Sequence, residues 1–263
     1  MSNEEEIHNF VAIIQDEDNT TDRSLPTFVV RCLFQVIPDL ESEFRQKMNE
    51  LAKGARTQSN GCLSYNLTRL SPQIHDGSIS TSNELHFMFH EKWMNQRCYD
   101  SYLEMPFVLD ISNRLADSNP LVRFPQITMW EKVNGFHQEG RNHDHASSNH
   151  RQTWADELSG PLYLMTRQIN AKPEASMSLL RQILCRLANL SVEKEDNCVF
   201  YDVHTYKGED APTQILEIAA WKSSGDYILH TKTHYARQCE GIQQTFVKDS
   251  EISFWEMNSG GLL

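Results

Sequence analysis

Hydrophobic and polar positions along the chain follow two periods, one of about two residues and one of about 3.6, in a regular order. Residues 27–37, TFVVRCLFQVI, form a β-branched and aromatic run that Pro38 closes, which predicts a buried strand. Residues 39–55, DLESEFRQKMNELAKGA, place apolar side chains at helical spacing and carboxylates near the start, where the helix dipole favours them. The pattern then predicts two strands, a helix and a strand, at 61–70, 84–93, 97–116 and 125–133.

The second part of the chain has the same order of predicted elements. It starts with a strand at 161–171 and a helix that opens with Pro173 and Glu174. Two strands, a helix and a strand follow, at 196–206, 213–221, 225–242 and 251–258. Residues recur at matching places: Cys62 with Cys198, Tyr65 with Tyr201, Trp93 with Trp221, and Tyr99 with Tyr227. Agreement in both order and residues predicts an internal repeat with a βαββαβ order in each copy.

Each predicted copy makes a four-stranded antiparallel sheet with two helices on one face. The strands carry apolar residues on both faces, as in HFMF at 86–89 and YLM at 163–165, so the helix-free face needs a cover. Stacking the two sheets of one chain on each other supplies this cover. We therefore predict an α+β protein in which two tandem units imitate a symmetric dimer.

Two polar stretches and a short end set the predicted domain boundaries. Residues 1–26 hold seven carboxylates and few bulky apolar side chains, which predicts a disordered acidic tail. Residues 134–160 lack periodicity and contain four histidines, which predicts a solvated linker without a dedicated metal site. The two folded units then span 27–133 and 161–258, followed by a tail at 259–263.

Composition and charge narrow the class of partner. The net charge of -12 argues against nucleic-acid binding, because phosphate binding relies on clustered Lys and Arg. No apolar run reaches about 18 residues, and the acidic start MSNEEEIHNF differs from a secretory signal, so we expect a cytoplasmic protein with no membrane partner. The six cysteines show no CxxC spacing and lie mostly within apolar patterns, as reduced core residues do.

Several short motifs resemble the antibiotic biosynthesis monooxygenase domain family, whose members have ferredoxin-like subunits in a dimeric α+β barrel. NGCLSYNL at 60–67 resembles the second strand of the family, and FHEKWMNQRCYDSYL at 89–103 resembles its third strand and following helix. AAWKSSGDYILHTKTHYARQ at 219–238 is similar too, with His230 at a position that is often His in the family. The resemblance implies two tandem ferredoxin-like units that form an intramolecular pseudo-dimeric α+β barrel.

The resemblance also implies a pocket between sheet and helices and a cofactor-independent oxidation of a phenol, quinol or anthrone-like substrate by dioxygen. Members that oxidise anthrones combine an Asn, a Trp and a Tyr at fixed spacing. The Trp and Tyr match in both units, but Phe89 and Glu217 stand where the Asn belongs. This departure leaves a non-catalytic ligand-binding or regulatory module as the first alternative. A haem-binding or haem-degrading protein is the second, with Thr166 near its Asn position and Tyr102 or His230 at its Trp position.

Cofactor-free oxygenation needs a base, a group that stabilises the resulting anion, and a dry pocket. In the second unit Tyr227, His230 and His234 lie at i, i+3 and i+7, which predicts a shared helical face. Glu217 and Trp221 share one face of the preceding strand. We therefore expect catalysis by Trp221, Tyr227, His230 and His234, with Glu217 and either Arg237 or Arg167 binding the substrate.

The first unit offers fewer bases. Its candidate substrate-binding residues are Trp93, Tyr99, Tyr102 and Arg114. His86 and His90 alternate onto the opposite face of their strand, where they are predicted to meet the other sheet or solvent. Trp130 and Trp255 are predicted to pack in the core or between the sheets, and a core-packing role fits the other aromatic candidates as well. The expected partners are a small aromatic molecule and dioxygen, and further homodimerisation stays open.

Overall fold

The computed structural model describes residues 27–71, 74–75, 78–79, 85–137, 162–208 and 213–257. The predicted acidic tail at 1–26 and the predicted tail at 259–263 lie outside these ranges. The predicted linker lies outside them from residue 138 onward. Within the described ranges no helix combines the length and the apolar surface that a bilayer span requires.

The first half contains β1 (Phe28–Val36), α1 (Glu41–Gln58), β2 (Cys62–Leu70) and a ribbon of two short strands, β3 (Ile74–His75) and β4 (Ser78–Ile79). It continues with β5 (Leu85–Trp93), α2 (Gln96–Leu103), α3 (Pro106–Ser118) and β6 (Gln126–His137). The second half contains β7 (Leu162–Ala171), α4 (Met177–Lys194), β8 (Cys198–Tyr206), β9 (Gln214–Trp221), α5 (Ser224–His230), α6 (His234–Phe246) and β10 (Val247–Met257). Apart from the β3–β4 ribbon, the two halves have the same order of elements.

In each half, the single helix predicted between the third and fourth large strands is two helices. In the first half α2 ends at Leu103 and α3 begins with Pro106, whose missing N–H suits a first helical position. In the second half α5 ends at His230, and the Thr233 hydroxyl accepts the Ala236 N–H at 3.3 Å to cap α6. The prediction of one continuous helix was wrong, because the apolar period continues across a break that capping residues create.

The eight long strands form one closed antiparallel barrel in the order β1-β5-β2-β10-β7-β9-β8-β6. Each half contributes a sheet of the same order, β6-β1-β5-β2 and β10-β7-β9-β8, with its fourth strand beside its first. The fourth strand of each half pairs with the second strand of the other half, which closes the barrel. The structure confirms the predicted α+β fold of two ferredoxin-like units, and the sheets that were expected to stack are also joined at their edges.

The alternation along the strands separates three apolar cores. Phe87, Phe89 and Trp93 of β5 face α1 to α3, while Ile215, Ala219 and Trp221 of β9 face α4 to α6. The opposite strand faces meet inside the barrel, where Trp130 and Trp255 are buried as predicted. Their indole N–H groups donate to the hydroxyls of Thr128 and Thr166, each at 2.9 Å.

Charged side chains also lie inside the barrel and join the two halves. Lys92 of β5 donates a hydrogen bond to Asp202 of β8, and Lys132 Nζ lies 3.4 Å from the other oxygen of that carboxylate. Burial lowers the pKa of Lys92 to about 8, although the Asp202 charge opposes the shift. His90 faces this interior, as predicted, with its ring centroid 6.4 Å from that of His204. Burial holds the pKa of both imidazoles well below the usual value, so both are neutral at neutral pH.

The two seams that close the barrel differ in length. Seven residue pairs join β6 to β8, from Trp130 with Tyr206 to His137 with Phe200. The described residues of β2 and β10 form only two pairs, Leu70 with Trp255 and Arg69 with Glu256. The long seam extends β6 past the predicted domain boundary at 133, because its partner strand belongs to the other half. The short seam ends with β2, where the Ser71 N–H donates to the Phe254 carbonyl at 2.8 Å.

Candidate functional site

The second half brings an imidazole, an indole and a carboxylate together between its sheet and its helices. His230 Nδ1–H donates to Glu195 Oε1 at 2.7 Å, and Trp221 Nε1–H donates to Glu195 Oε2 at 3.1 Å. The Tyr235 hydroxyl also donates a hydrogen bond to Glu195 Oε1, the oxygen that accepts the His230 N–H. Both carboxylate oxygens therefore accept hydrogen bonds from rings of the candidate site.

Glu195 is held in place by the end of a helix. It is the C-terminal capping residue of α4, where its backbone N–H donates to the Ser191 carbonyl at 3.0 Å. Its own carbonyl accepts the Cys198 N–H at 3.0 Å, which fixes the turn into β8. Burial alone would raise the pKa of Glu195, but the hydrogen bonds from His230, Tyr235 and Trp221 hold it below the usual value. The carboxylate is thus ionised at neutral pH.

Aromatic rings surround the imidazole of His230. Its centroid lies 5.0 Å from that of Trp221 and 6.2 Å from those of Tyr201 and Tyr227. The Tyr227 ring is stacked on the imidazole at an interplanar angle of 28°. Burial raises the pKa of Tyr227, so its phenol is neutral at neutral pH. Three of the four predicted catalytic residues, Trp221, Tyr227 and His230, therefore lie together.

Glu217, which was predicted to bind the substrate, belongs to a network of polar side chains inside the same core. It is fully buried and accepts the Tyr201 hydroxyl at 2.8 Å. Arg167 Nη1 lies 3.5 Å from the other oxygen of Glu217 and donates to Gln243 Oε1 at 2.8 Å. Glu217 and Arg167 thus pair with each other, as buried charges require. Their arrangement places a charged pair in the core behind the ring cluster.

His234 and Arg237 do not join this cluster. Both are exposed on α6, a separate helix that begins at His234. The shared helical face predicted for Tyr227, His230 and His234 is wrong, since the turn at 231–233 interrupts the helix and redirects the chain. Tyr235 is the residue of α6 that reaches the site.

The first half repeats the aromatic framework with a different carboxylate. Trp93, Tyr99 and Tyr102 are buried, and the Trp93 ring centroid lies 4.7 Å from that of Tyr102 and 5.7 Å from that of Tyr99. Trp93 Nε1–H donates to Glu91 Oε2 at 3.0 Å, and Tyr102 donates to the Tyr65 hydroxyl at 3.1 Å. Burial raises the pKa of Glu91 to about 8, so this carboxyl is mostly protonated at neutral pH.

Two further predicted residues lie away from any ring cluster. Arg114 is exposed on α3, where it pairs with Glu50 at 2.7 Å and Asp110 at 3.0 Å, so the structure does not bring it to the predicted substrate pocket. Thr166 points into the barrel and accepts the Trp255 N–H. It therefore lies on the opposite face of the sheet from His230, which removes the basis for pairing these residues around a haem.

Sequence reasoning missed Glu195. It lies in VEKEDN at 192–197, a charged stretch that predicts only a solvated helix end. Its partner His230 is 35 positions away, so no local pattern connects the two. The sequence does mark Tyr235, which follows His234 in a motif that resembles the family.

One protein family and several solved structures are similar to this chain. Residues 27–113, in the first half of the chain, match the sequence profile of the antibiotic biosynthesis monooxygenase family. No curated protein matches the chain significantly.

Three solved structures are similar over nearly the whole chain. A protein from Fusobacterium nucleatum, provisionally named a monooxygenase, covers 90% of this chain and 95% of its own at 10% identity, with a TM-score of 0.67. A protein from Lactobacillus acidophilus with the same provisional name covers 89% and 97% at 11% identity, with a TM-score of 0.62. An anthrone oxidase-like protein covers 92% and 96% at 8% identity, with a TM-score of 0.58. At these identities the likeness establishes the shared two-unit fold.

Proposed function

We propose that the second half of the chain is a cofactor-independent monooxygenase centre that oxidises a small phenol, quinol or anthrone-like substrate with dioxygen. The observation that carries the proposal is the 2.7 Å hydrogen bond between His230 and Glu195 beside the buried Trp221. A carboxylate that binds one imidazole nitrogen fixes the tautomer and stabilises the imidazolium that forms when the other nitrogen takes a proton. The match of residues 27–113 to the profile of a monooxygenase family supports the reaction class.

The chemistry follows from this pair. The Nδ1–H of His230 is held by Glu195, so Nε2 is the base that removes a proton from an acidic C–H or O–H of the substrate. For an anthrone-like CH₂ group, the resulting anion gives one electron to dioxygen, and the two radicals combine to a peroxide. The imidazolium returns its proton to the peroxide, which loses water and leaves a carbonyl. The overall change, CH₂ plus O₂ to C=O plus H₂O, balances without a cofactor.

Substrate entry involves α5, which covers the site. His230 is 6% exposed, while Ile228 and Leu229 of the same helix are 50% and 63% exposed. α5 has only seven residues and presents apolar side chains to solvent, so it belongs to the surface elements that open most easily. We expect α5 to shift outward so that an aromatic ring can lie against Trp221 and Tyr227.

Oxygen uptake by the full-length chain tests the proposal, with anthrone, hydroquinone and phenol as probes in chelator-treated, haem-free buffer. We expect uptake with at least one probe and a loss of about 100-fold or more in the His230→Gln variant, because general bases contribute about that much. His234→Gln is the matched control, since this exposed imidazole on α6 should leave the rate unchanged. Equal rates for His230→Gln and the unmodified protein would contradict the assignment of the base.

A non-catalytic ligand-binding module is the second candidate function. It is favoured by the first half, where the rings of Trp93, Tyr99 and Tyr102 pack against one another around a carboxyl that is mostly neutral. If no probe supports oxygen uptake while one of them raises the melting temperature of the protein, the binding module is correct. A Soret band on addition of hemin would instead support the haem alternative.

A further inference from the structure

A cavity of about 590 Å³ lies at one mouth of the barrel, on the opposite side of the sheets from the helices. Both halves line it, with Arg31, Leu33 and His86 from the first half and Glu251, Ser253 and Trp255 from β10. This volume lies within the range of about 300–1,000 Å³ that is usual for small-molecule sites. The cavity is therefore large enough for a ring-bearing ligand.

The position of the cavity follows from the short seam between the two halves. β10 pairs with β7 along its whole length, but the described residues of β2 pair with it only at Trp255 and Glu256. β2 ends at Leu70, and the Ser71 N–H still donates to the Phe254 carbonyl at 2.8 Å, so the stretch of β10 before Phe254, including Glu251 and Ser253, runs past the end of β2 and forms one wall of the cavity. The opposite seam, with seven pairs, is closed along its length.

Arg31 lines the inner part of this cavity without a carboxylate partner. Its guanidinium donates from Nε to Met88 Sδ at 3.2 Å and from Nη1 to Gln168 Oε1 at 3.4 Å, and both acceptors are uncharged. Within the described ranges, no carboxylate oxygen lies within 4.0 Å of it. The other buried cations, Lys47 and Lys92, each donate to a carboxylate. Burial lowers the pKa of Arg31 to about 10, opposed by the charge of Glu251, so the group keeps its charge at neutral pH.

We propose that the barrel-mouth cavity binds a small, ring-bearing monocarboxylate, with Arg31 as the partner of the carboxylate. A guanidinium presents a planar pair of donors that matches a carboxylate, and a buried cation with no carboxylate in direct contact gains most from one. Leu33, Leu70 and Trp255 supply apolar wall for the ring. This site is independent of the oxidation proposed for the second half.

The charges at the rim favour a monovalent anion over a phosphate. Arg69 and Arg123 line the outer part of the cavity together with Glu251 and Glu256, so the rim carries balanced charge. The buried Arg31 compensates one negative charge, while the second charge of a dianion would be repelled by the two glutamates. Glu251 is exposed, and its field competes with a bound carboxylate for Arg31.

Calorimetric titration of the full-length protein with benzoate tests the proposal, and benzamide and inorganic phosphate serve as comparison probes. We expect saturable benzoate binding that is at least about tenfold tighter than that of benzamide or phosphate, because a hydrogen-bonded charge pair contributes about this factor. Arg31→Met should weaken benzoate binding to the level of benzamide. Arg69→Met, at the exposed rim, is the matched control and should change it less than about threefold.

Glu251→Gln should change benzoate affinity in the opposite direction to Arg31→Met. Because Glu251 is exposed, this variant keeps the test decisive if Arg31→Met does not fold. We expect it to tighten benzoate binding severalfold and to leave benzamide unaffected. Equal affinity for benzoate and benzamide, weaker benzoate binding in Glu251→Gln, or no benzoate binding up to tens of millimolar would each overturn the proposal. His230→Gln should bind benzoate like the unmodified protein, so failure of the oxidation proposal and failure of this one are distinguishable.

Discussion

The two halves place a tryptophan at the same position, the last residue of the third large strand, but satisfy its N–H differently. Trp93 donates to Glu91, two residues earlier on the same strand. Ala219 occupies the matching place in the second half, and Trp221 donates instead to Glu195 at the end of α4. Both indoles are fully buried, so in each case an acceptor is required.

The difference in acceptor changes the chemistry of the cluster. Glu91 lies deep in an apolar core, where burial raises its pKa to about 8. Glu195 accepts three hydrogen bonds, one from an imidazole, and its pKa lies below the usual value. Similar aromatic frameworks therefore hold a neutral acid in one half and an ion that supports a base in the other.

The largest expected effect comes from removing either indole. Trp93→Ala and Trp221→Ala should each lower the free energy of unfolding by about 3–5 kcal/mol, because each deletes a fully buried ring. Urea denaturation measures this. Among variants that remain folded, only Trp221→Ala should also abolish oxygen uptake; loss of uptake in Trp93→Ala alone would assign the reaction to the first half.

Exchanging each carboxyl for an amide sharpens the comparison. At pH 7, Glu195→Gln should cost about 1.5–3 kcal/mol, because it removes a charged hydrogen-bond acceptor from His230. Glu91→Gln should instead raise the free energy of unfolding at pH 7, by up to about 3 kcal/mol, because the native carboxyl holds a proton that the unfolded chain has released. Equal costs in urea denaturation would show that the two carboxyls have the same charge state.

The pH dependence of stability should have opposite signs in the two halves. Between its ordinary pKa of 4.5 and about 8, Glu91 keeps its proton in the folded state but loses it in the unfolded state. Its contribution therefore falls as pH rises, by up to about 1.4 kcal/mol per pH unit, and it is flat below this window. Denaturation of Glu91→Gln across this window should lose that slope; an unchanged slope would contradict the protonated Glu91.

The lowered pKa of Glu195 gives the reverse dependence. Its contribution is present above the unfolded pKa and is lost as pH falls through the lower folded value. Glu195→Gln should therefore remove part of the acid destabilisation and leave the neutral-to-alkaline slope in place. The two amide variants are controls for each other in the same set of titrations.

The smallest expected effect belongs to Arg114. Its pairs with Glu50 and Asp110 are exposed, so Arg114→Ala should leave the midpoint of urea denaturation almost unchanged. Oxygen uptake should not change, because the side chain lies on the outer surface of α3. A reduced rate would restore Arg114 to the substrate pocket that the sequence predicted.

Much of the fold could be predicted because strand and helix periods are local. The alternation of HFMFHEKW predicted that Phe87 and His90 lie on opposite faces of β5, and the structure agrees. The same kind of pattern overextended the helix after Tyr227, since a period does not show where Thr233 caps a new one. That error alone placed His234 beside His230.

The sequence by itself determined the order of elements, the two-unit α+β fold and which strand faces are apolar, because neighbouring residues decide these features. Only the tertiary structure decided where charges meet. Glu195 reaches His230 across 35 positions and Lys92 reaches Asp202 across 110, and neither pair has a local pattern. The cavity at Arg31 likewise lies where β10 of the second half runs past the end of β2 of the first half.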